Sequence, residues 1–260
     1  MGRKILITGA TSGLGKALTL ELLKQGHSVF ASGRSRDGLD ALLHDCVAQN
    51  LLLSGVRVID VTRPEDFDQG RRQVSENFRQ EDSSRIDTLI VNAAVHLEHA
   101  HDYEGRPYAE WPHAEIRERT FAVNYHGALR TVETFLPLVR KSEDGRILFV
   151  NGTLGSFGWH HHDNHGYRKV LGIHNQEYAA SKAALNMAMV HKARQEPTLF
   201  IASLFPGWLA TRIGGKGTPE DGQRPVESAL PFMTKYAAGE IDRTRSGQFI
   251  SRQGEKSIAW

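Results

Sequence analysis

The stretch Thr8-Gly9-Ala10-Thr11-Ser12-Gly13-Leu14-Gly15 decides the fold, because of what stands on either side of it. The apolar run from Lys4 to Thr8 predicts a strand, and apolar residues after Gly15 recur at helical spacing as far as Leu22. Glycines between a strand and a helix let the backbone approach a phosphate, and the helix N-terminus favours its negative charge. Turns often contain glycine, so it is the position after a first strand that indicates a nucleotide site.

The rest of the chain repeats this order of strand and helix. We predict further strands at residues 26–34, 56–61, 86–91, 145–150, 198–204 and 248–251, and helices at residues 64–79, 114–140 and 178–194. Such repetition predicts a parallel sheet with helices on both faces and ligands over the carboxyl ends of the strands. We therefore expect an α/β protein: a single-domain, Rossmann-type, doubly wound parallel sheet of about seven strands, covering residues 1–260.

The composition is that of an ordinary globular protein. Of the 260 residues, 40% are hydrophobic and 24% are charged, and the net charge of +2 with neutral histidine favours neither nucleic acid nor an anionic membrane as a partner. Cys46 is the only cysteine, which excludes an internal disulfide and a multi-cysteine metal site and fits a reducing compartment. The first apolar run is too short for a signal peptide or a membrane span. We expect a cytoplasmic protein.

The end of the second predicted strand indicates which nucleotide is bound. An acidic residue at this place in a dinucleotide fold binds the 2'-hydroxyl of the adenosine ribose and repels a 2'-phosphate. This chain carries Ser32, Gly33 and Arg34 there, without a carboxylate. A guanidinium can pair with a phosphate and stack on adenine, so we favour NADP over NAD. The alternative is that Arg34 is a solvated loop charge.

The stretch Tyr178-Ala-Ala-Ser-Lys182 sets a phenol and an ammonium four residues apart in a predicted helix. Residues at this spacing lie on the same helical face. A tyrosine has an unperturbed pKa of about 10, and a nearby ammonium favours the phenolate and lowers that pKa. The pair is a candidate proton donor with its tuning group. Taken alone, it could equally be a surface helix that carries both residues by chance.

Four more motifs follow predicted strand ends or lie within a predicted helix. They are Asp60-Val61, Asn92-Ala93-Ala94, Asn124, and Pro206-Gly207-Trp208 with Thr211. Together with the glycine-rich turn and the Tyr178 and Lys182 pair, they resemble the short-chain dehydrogenase/reductase family of the classical type over nearly the full length. Ala94 departs from the family's Asn-Ala-Gly. The segment from 207 to 228 and the aromatic end at Trp260 look most like the bacterial carbonyl-reductase-like branch.

The resemblance implies that a hydride passes between C4 of NADP(H) and a carbonyl or alcohol carbon of a small molecule. Tyr178 would exchange the proton of the substrate oxygen, Lys182 would hold the ribose and tune the tyrosine, and Asn124 would position a water behind the lysine. It also implies a homodimer or homotetramer formed through the helices at 114–140 and 178–194. The implied cofactor contacts are Gly9, Thr11, Ser12, Gly13, Leu14, Gly15, Ser32, Arg34, Asp60, Val61, Asn92, Ala93, Ala94, Tyr178, Lys182, Pro206, Gly207, Trp208 and Thr211.

One expected catalytic group is missing. The family places a serine after the fifth strand to bind the carbonyl oxygen, and with Gly155-Ser156 in register that place falls on Gly152. Loss of one donor to a developing oxyanion costs roughly a hundredfold to a thousandfold in rate. We rank Thr153 first as the replacement, with Asn151 or a group from the insert at 157–176 as alternatives. The gap leaves a second function open: a nucleotide-binding member with little or no redox activity, or an elimination or isomerisation.

A predicted lid and the insert at 157–176 are expected to determine the substrate. We read residues 207–228 as a mobile substrate lid and residues 96–113 as a loop at the site mouth. Phe157, Trp159 and Trp208 are candidates for substrate contact, with core packing as the alternative.

Histidines are dense in two parts of the chain. We take His96, His99 and His101 for a polar surface loop, with a place in the lining of the site mouth as the alternative. We take the run from His160 to His165 for a solvated or substrate-covering loop. Consecutive histidines point in different directions and no cysteine completes a shell, so we expect no metal site.

Overall fold

The computed structural model describes residues 2–80, 83–99, 108–160, 175–253 and 256–259. Within these residues one sheet of seven parallel strands has the order β3-β2-β1-β4-β5-β6-β7, which confirms the predicted fold class. The strands are β1 (Lys4–Thr8), β2 (Ser28–Gly33), β3 (Gly55–Val58), β4 (Thr88–Val91), β5 (Arg146–Val150), β6 (Phe200–Phe205) and β7 (Phe249–Ser251). The order reverses at β1 and β4, and this switch point is where ligands bind in such sheets.

Helices cover both faces of the sheet. Ile5 and Ile7 of β1 belong to one core, with α1, α2 and α7, and Leu6 belongs to the other, with α3, α5 and α6. This alternation follows from the period of two along a strand. The helices are α1 (Gly13–Lys24), α2 (Arg36–Ala48), α3 (Pro64–Asn77), α4 (His113–Phe121), α5 (Ala128–Val139), α6 (Gln176–Gln195) and α7 (Leu230–Ala238).

The turn between β1 and α1 brings two strand ends close together. Gly9 has a φ of +67°, and a Cβ there would lie 2.8 Å from the Cα of Ala93, just beyond β4. Only glycine fits a left-handed conformation with a neighbouring backbone at this distance. The turn therefore sits directly over the switch point.

The predicted helix at 114–140 is interrupted. A π-helical turn, Ala122–Gly127, separates α4 from α5 and contains Asn124. The predicted ends of the helix agree with the structure to within one residue, but the prediction of one continuous α-helix was wrong. The reason is the Asn124 side chain, which bonds to the backbone of Val95 outside the helix, and such π turns are frequent at functional sites.

Element boundaries differ from the predicted ones by a few residues. The largest change is at β3, predicted to run to residue 61 and ending at Val58. Helices α2 and α7 were not predicted; α2 contains Gly38, which obscures its helical pattern. Among the described residues, no helix is long and apolar enough to cross a membrane.

Candidate active site

A cavity of about 1080 Å³ lies over the carboxyl ends of the central strands. The ends of six strands, β1 to β6, contribute residues to its wall. Of the predicted cofactor contacts, Ser32 alone does not line it; its hydroxyl is buried and donates to the carbonyl oxygen of Ile7 at 3.2 Å. Ser32 therefore does not contribute to the cavity wall, and its role as a cofactor contact stays a prediction. The predicted contacts that line the cavity are Gly9, Thr11, Ser12, Gly13, Leu14, Gly15, Arg34, Asp60, Val61, Asn92, Ala93, Ala94, Tyr178, Lys182, Pro206, Gly207, Trp208 and Thr211.

The N-terminus of α1 has the form of an anion site. Its N-cap, Ser12, makes no side-chain capping bond, whereas the N-cap of α2, Ser35, accepts from the N–H of Gly38 at 3.1 Å. The first N–H groups of an α-helix have no partner within the helix, and the first residues of α1 line the cavity. A Cβ on Gly13 would stand 3.3 Å from Cγ2 of Thr211 and would narrow this space. The residues present fit a dinucleotide phosphate.

Arg34 stands at the far end of the same wall. It is exposed and follows β2 directly. Asp60, beyond β3, uses a carboxylate oxygen to accept from the N–H and hydroxyl of Thr62, at 2.9 Å and 2.7 Å. The cation is thus the group at this end of the cavity suited to a 2'-phosphate.

Tyr178 and Lys182 lie one helical turn apart on α6, and 8% and 3% of their surfaces are exposed. The Lys182 ammonium is 5.6 Å from the centre of the Tyr178 ring and donates to the carbonyl oxygen of Val150 at 3.1 Å. Burial lowers the pKa of Lys182 to about 8. The pair therefore lies in the cavity wall, and not on a solvated helix face.

Gly152 faces the phenol of Tyr178. A Cβ built on it would lie 3.4 Å from the phenol oxygen, so a side chain at this position would begin beside that oxygen. Because the residue is glycine, position 152 offers no hydroxyl. The gap that the sequence predicts is a real space in the wall.

The neighbours of Gly152 differ in what they can donate. Asn151 is buried, and its amide nitrogen donates to Asn186 Oδ1 at 2.6 Å and to the carbonyl oxygen of Lys182 at 3.2 Å. Both of its N–H groups are therefore in use, which weakens the case for Asn151 as an oxyanion donor. Thr153 is buried and lines the cavity. It stays the first candidate.

Asn124 is fully buried beneath the site. Its amide oxygen accepts from the N–H of Val95 at 2.8 Å, and its amide nitrogen donates to the Val95 carbonyl at 2.9 Å and to Ser181 Oγ at 3.0 Å. The side chain thus joins the π-helical turn to the segment after β4 and to α6. Both amide N–H groups of Asn124 are in use, so its side chain has no hydrogen left to donate to a water behind Lys182.

His96 was not predicted to belong to the site, and the expectation of a polar surface position was wrong for it. Its ring is buried and stacks on the ring of Tyr178, with centroids 4.0 Å apart and planes inclined by 19°. The neighbouring Glu98 accepts from the N–H groups of Glu177 and Tyr178, at 3.0 Å and 2.9 Å, and so caps α6. The density of histidine in this segment was the only sequence signal.

Of the three aromatic residues that were candidates for substrate contact, Trp208 lines the cavity. Trp111, which was not a candidate, lines it as well. Phe157 is 71% exposed, and neither it nor Trp159 lines the cavity, so substrate contact is not seen for them among the described residues.

The predicted lid is held by bonds within itself. Trp208 Nε1 donates to the carbonyl oxygen of Gly214 at 2.7 Å, and Leu209 pairs with Arg224. Its mobility stays a prediction. Most of the predicted insert, residues 161–174, lies outside the described residues. In the part of the chain that is described, no group of three or more His, Cys, Asp or Glu side chains could hold a metal ion.

The fold and the cavity are those of a Rossmann-type α/β protein. A family model described as short chain dehydrogenase matches residues 3–221, and the chain belongs to that family of oxidoreductases.

Similar proteins agree with this assignment. The chain is 27% identical to short-chain dehydrogenase/reductase tropE of Talaromyces stipitatus over 278 residues, covering 96% of each chain. Among solved structures, NADPH-bound carbonyl reductase from chicken fatty liver superposes with a TM-score of 0.78 at 23% identity, over 100% of this chain and 99% of that one. An alcohol dehydrogenase of the archaeon Thermococcus sibiricus, complexed with 5-hydroxy-NADP, gives 0.77 at 18% identity over 100% of both. These structures share the fold.

Proposed function

We propose that the protein is an NADP(H)-dependent oxidoreductase that interconverts a small carbonyl compound and its alcohol. The observation that carries this proposal is the position of Tyr178 and Lys182: both are buried in the wall of one cavity, which also contains the uncapped start of α1 and Arg34. A phenol held beside a buried ammonium has little use in a protein that only binds a nucleotide.

The chain's own groups fit the binding of the cofactor. The N–H groups at the start of α1 would hold the diphosphate, Arg34 would pair with the 2'-phosphate, and Pro206-Gly207 with Thr211 would hold the nicotinamide end. Relatives support the choice of nucleotide: the carbonyl reductase structure contains NADPH, and a 25% identical L-rhamnose 1-dehydrogenase of Sphingomonas is named for both NAD and NADP. When bound, the nicotinamide supplies or accepts the hydride.

Proton transfer falls to Tyr178. Its phenol gives a proton to the substrate oxygen during reduction and takes one back during oxidation. Lys182, with a pKa of about 8, is mostly protonated at neutral pH, and its charge stabilises the phenolate that reduction leaves behind. The Lys182 ammonium is already oriented by the carbonyl of Val150.

We assign the missing serine's task to Thr153. It follows Gly152 directly, lines the cavity and carries a hydroxyl that can donate to the substrate oxygen. The proton that Tyr178 gives up returns through Lys182 and a water held at the Asn124 turn.

A panel of aldehydes and ketones tests the proposal through NADPH oxidation at 340 nm. The parent protein and Tyr178→Phe are compared, with Tyr125→Phe as a control outside the cavity wall. We expect turnover by the parent and the control, and a loss of roughly a thousandfold in Tyr178→Phe with unchanged NADPH affinity. If Tyr178→Phe turned over like the parent, the mechanism would be wrong.

Gly152 supports a second candidate function. Without a donor beside the phenol, the protein would bind the nucleotide with little or no redox activity, or would use Tyr178 in an elimination or isomerisation. Tight NADPH binding with no oxidation over the whole panel would favour this function. Product analysis with bound but unconsumed nucleotide would then identify a non-redox reaction.

We also propose a cytoplasmic homodimer or homotetramer. This proposal rests on the family resemblance, which implies association through the helices at 114–140 and 178–194. Light scattering combined with size exclusion would give the mass, and a monomer would contradict this.

A further inference from the structure

The surroundings of His96 differ from those of a packing residue. Only 3% of its side chain is exposed, and it contacts three separate parts of the site. Its ring stacks on Tyr178, Nδ1 lies 3.3 Å from the carbonyl oxygen of Ile213 in the 207–228 segment, and Nε2 lies 3.0 Å from Oδ1 of Asn175 just before α6.

Both of these partners are acceptors. A carbonyl oxygen cannot donate, so Nδ1 carries a hydrogen. Nε2 likewise faces an amide oxygen, and a ring with hydrogen on both nitrogens is an imidazolium. Turning the Asn175 amide would allow a neutral ring, but a Glu98 carboxylate oxygen lies 3.9 Å from Nε2 and provides the counter-charge for a cation.

We propose that His96 is a positioning residue for Tyr178: a buried imidazolium, paired with Glu98 and bonded to Ile213 and Asn175, that stacks on the phenol and favours its phenolate. A cation over the face of an aromatic ring is attracted to it, and the attraction grows when the ring bears negative charge. His96 thus adds a second cation to Lys182 in a site that lacks a hydroxyl at Gly152. This role for a proton-transfer tyrosine rests on the proposed function.

Other charged groups surround His96 and Tyr178 and could mask the effect of His96 on the phenol. Two of them, Lys182 and Glu177, are on α6, and Glu177 pairs with Arg117 of α4 at 3.1 Å. Burial raises the pKa of Glu98, while its two N–H donors oppose this and His113 at the start of α4 lowers it. The 207–228 segment contributes two cavity-lining cations, Arg212 and Lys216. The test therefore compares variants that change only His96.

The ionisation of Tyr178 itself is the readout, because it needs no turnover. Tyrosinate absorbance at 295 nm is titrated in the apoprotein, and subtraction of the same titration in Tyr178→Phe isolates Tyr178. His96→Phe retains a stacking ring without charge, and His96→Gln retains one donor without a ring. Each variant needs its own Tyr178→Phe partner, and His191→Phe, an exposed position on α6, is the control.

We expect the Tyr178 midpoint to rise by about one pH unit or more in both His96 variants and to stay unchanged in His191→Phe. Nitrogen-15 spectra of the parent minus His96→Gln should show both His96 ring nitrogens protonated at neutral pH. A neutral tautomer in these spectra, or an unchanged midpoint in a folded variant, would overturn the proposal. The titration needs no substrate. If the Tyr178 midpoint rose in the His96 variants but the parent protein reduced no carbonyl compound, only the proposed function would be contradicted.

Discussion

The two ends of the cavity are built in different ways. The nucleotide end, around Gly9, Gly13 and the start of α1, is made of backbone that follows one strand directly. The end around Tyr178 is made of side chains: His96 comes from the segment after β4, Gly152 from the end of β5, and Tyr178 from α6. The first end depends on where glycines stand, whereas the second depends on side chains that only the fold brings together.

After Tyr178→Phe, the largest effect on the substrate end should come from Thr153→Val. This change keeps the shape and removes the hydroxyl that we assign to the substrate oxygen, so we expect kcat to fall roughly a hundredfold with NADPH affinity unchanged. Thr153→Ser is the matched control and should retain most of the activity. An unaffected rate in Thr153→Val would move the role to the residues of the insert.

Lys182→Met tests how much the burial of the Lys182 ammonium lowers the free energy of unfolding. Burial holds the folded-state pKa of Lys182 at about 8, below the ordinary 10.5, so the apoprotein is less stable below pH 8 than a neutral group would make it. The stability of the parent should rise between pH 8 and 10.5, where only the unfolded chain binds the proton. At pH 7 the variant should be more stable by up to about 3 kcal/mol, from the shift of the pKa.

The lost bond to the Val150 carbonyl reduces that gain. Denaturant unfolding at pH 7 and pH 10 measures the difference, and Lys192→Met on the same helix is the control. A stability difference that is equal at both pH values would contradict the burial of a charged ammonium.

Gly152→Ser tests whether the absence of a hydroxyl at position 152 limits kcat. A Cβ at 3.4 Å from the phenol oxygen is in ordinary contact, so the site should accept the residue. We expect kcat to rise about tenfold, less than a full donor provides because Thr153 already serves. Gly152→Ala adds the Cβ without the hydroxyl and should not raise the rate. Equal losses in both variants would mean that the space is needed by the substrate.

At the nucleotide end, Arg34→Ala should change only the affinity for NADPH. Loss of a charge-assisted bond to the 2'-phosphate should raise the Kd for NADPH by about tenfold or more, with the Kd for NADH unchanged. Arg36→Ala, an exposed position two residues further on, is the control. Fluorescence titration measures both affinities, and equal affinity of the parent for NADH and NADPH would remove the NADP assignment.

The sequence predicted the fold class, and the predicted nucleotide contacts other than Ser32 line the cavity, because periodicity and glycine positions report local backbone. It also predicted that Gly152 faces the reacting group, since the register after β5 is local. It could not predict His96, because the stacking on Tyr178 joins residues that are far apart in the chain. The inward direction of Ser32 and the π-helical turn at Asn124 were missed for a related reason: both depend on bonds to other elements.

We propose above that Tyr178 supports hydride transfer between NADP(H) and a carbonyl carbon in this cavity. The most direct measurement uses NADPH deuterated at C4, with mass spectrometry of the alcohols formed from the carbonyl panel. We predict deuterium on the carbinol carbon with the parent protein and almost none with Tyr178→Phe at equal nucleotide occupancy. Bound nucleotide that transfers no deuterium to any carbonyl, or equal transfer by both proteins, would contradict the claim.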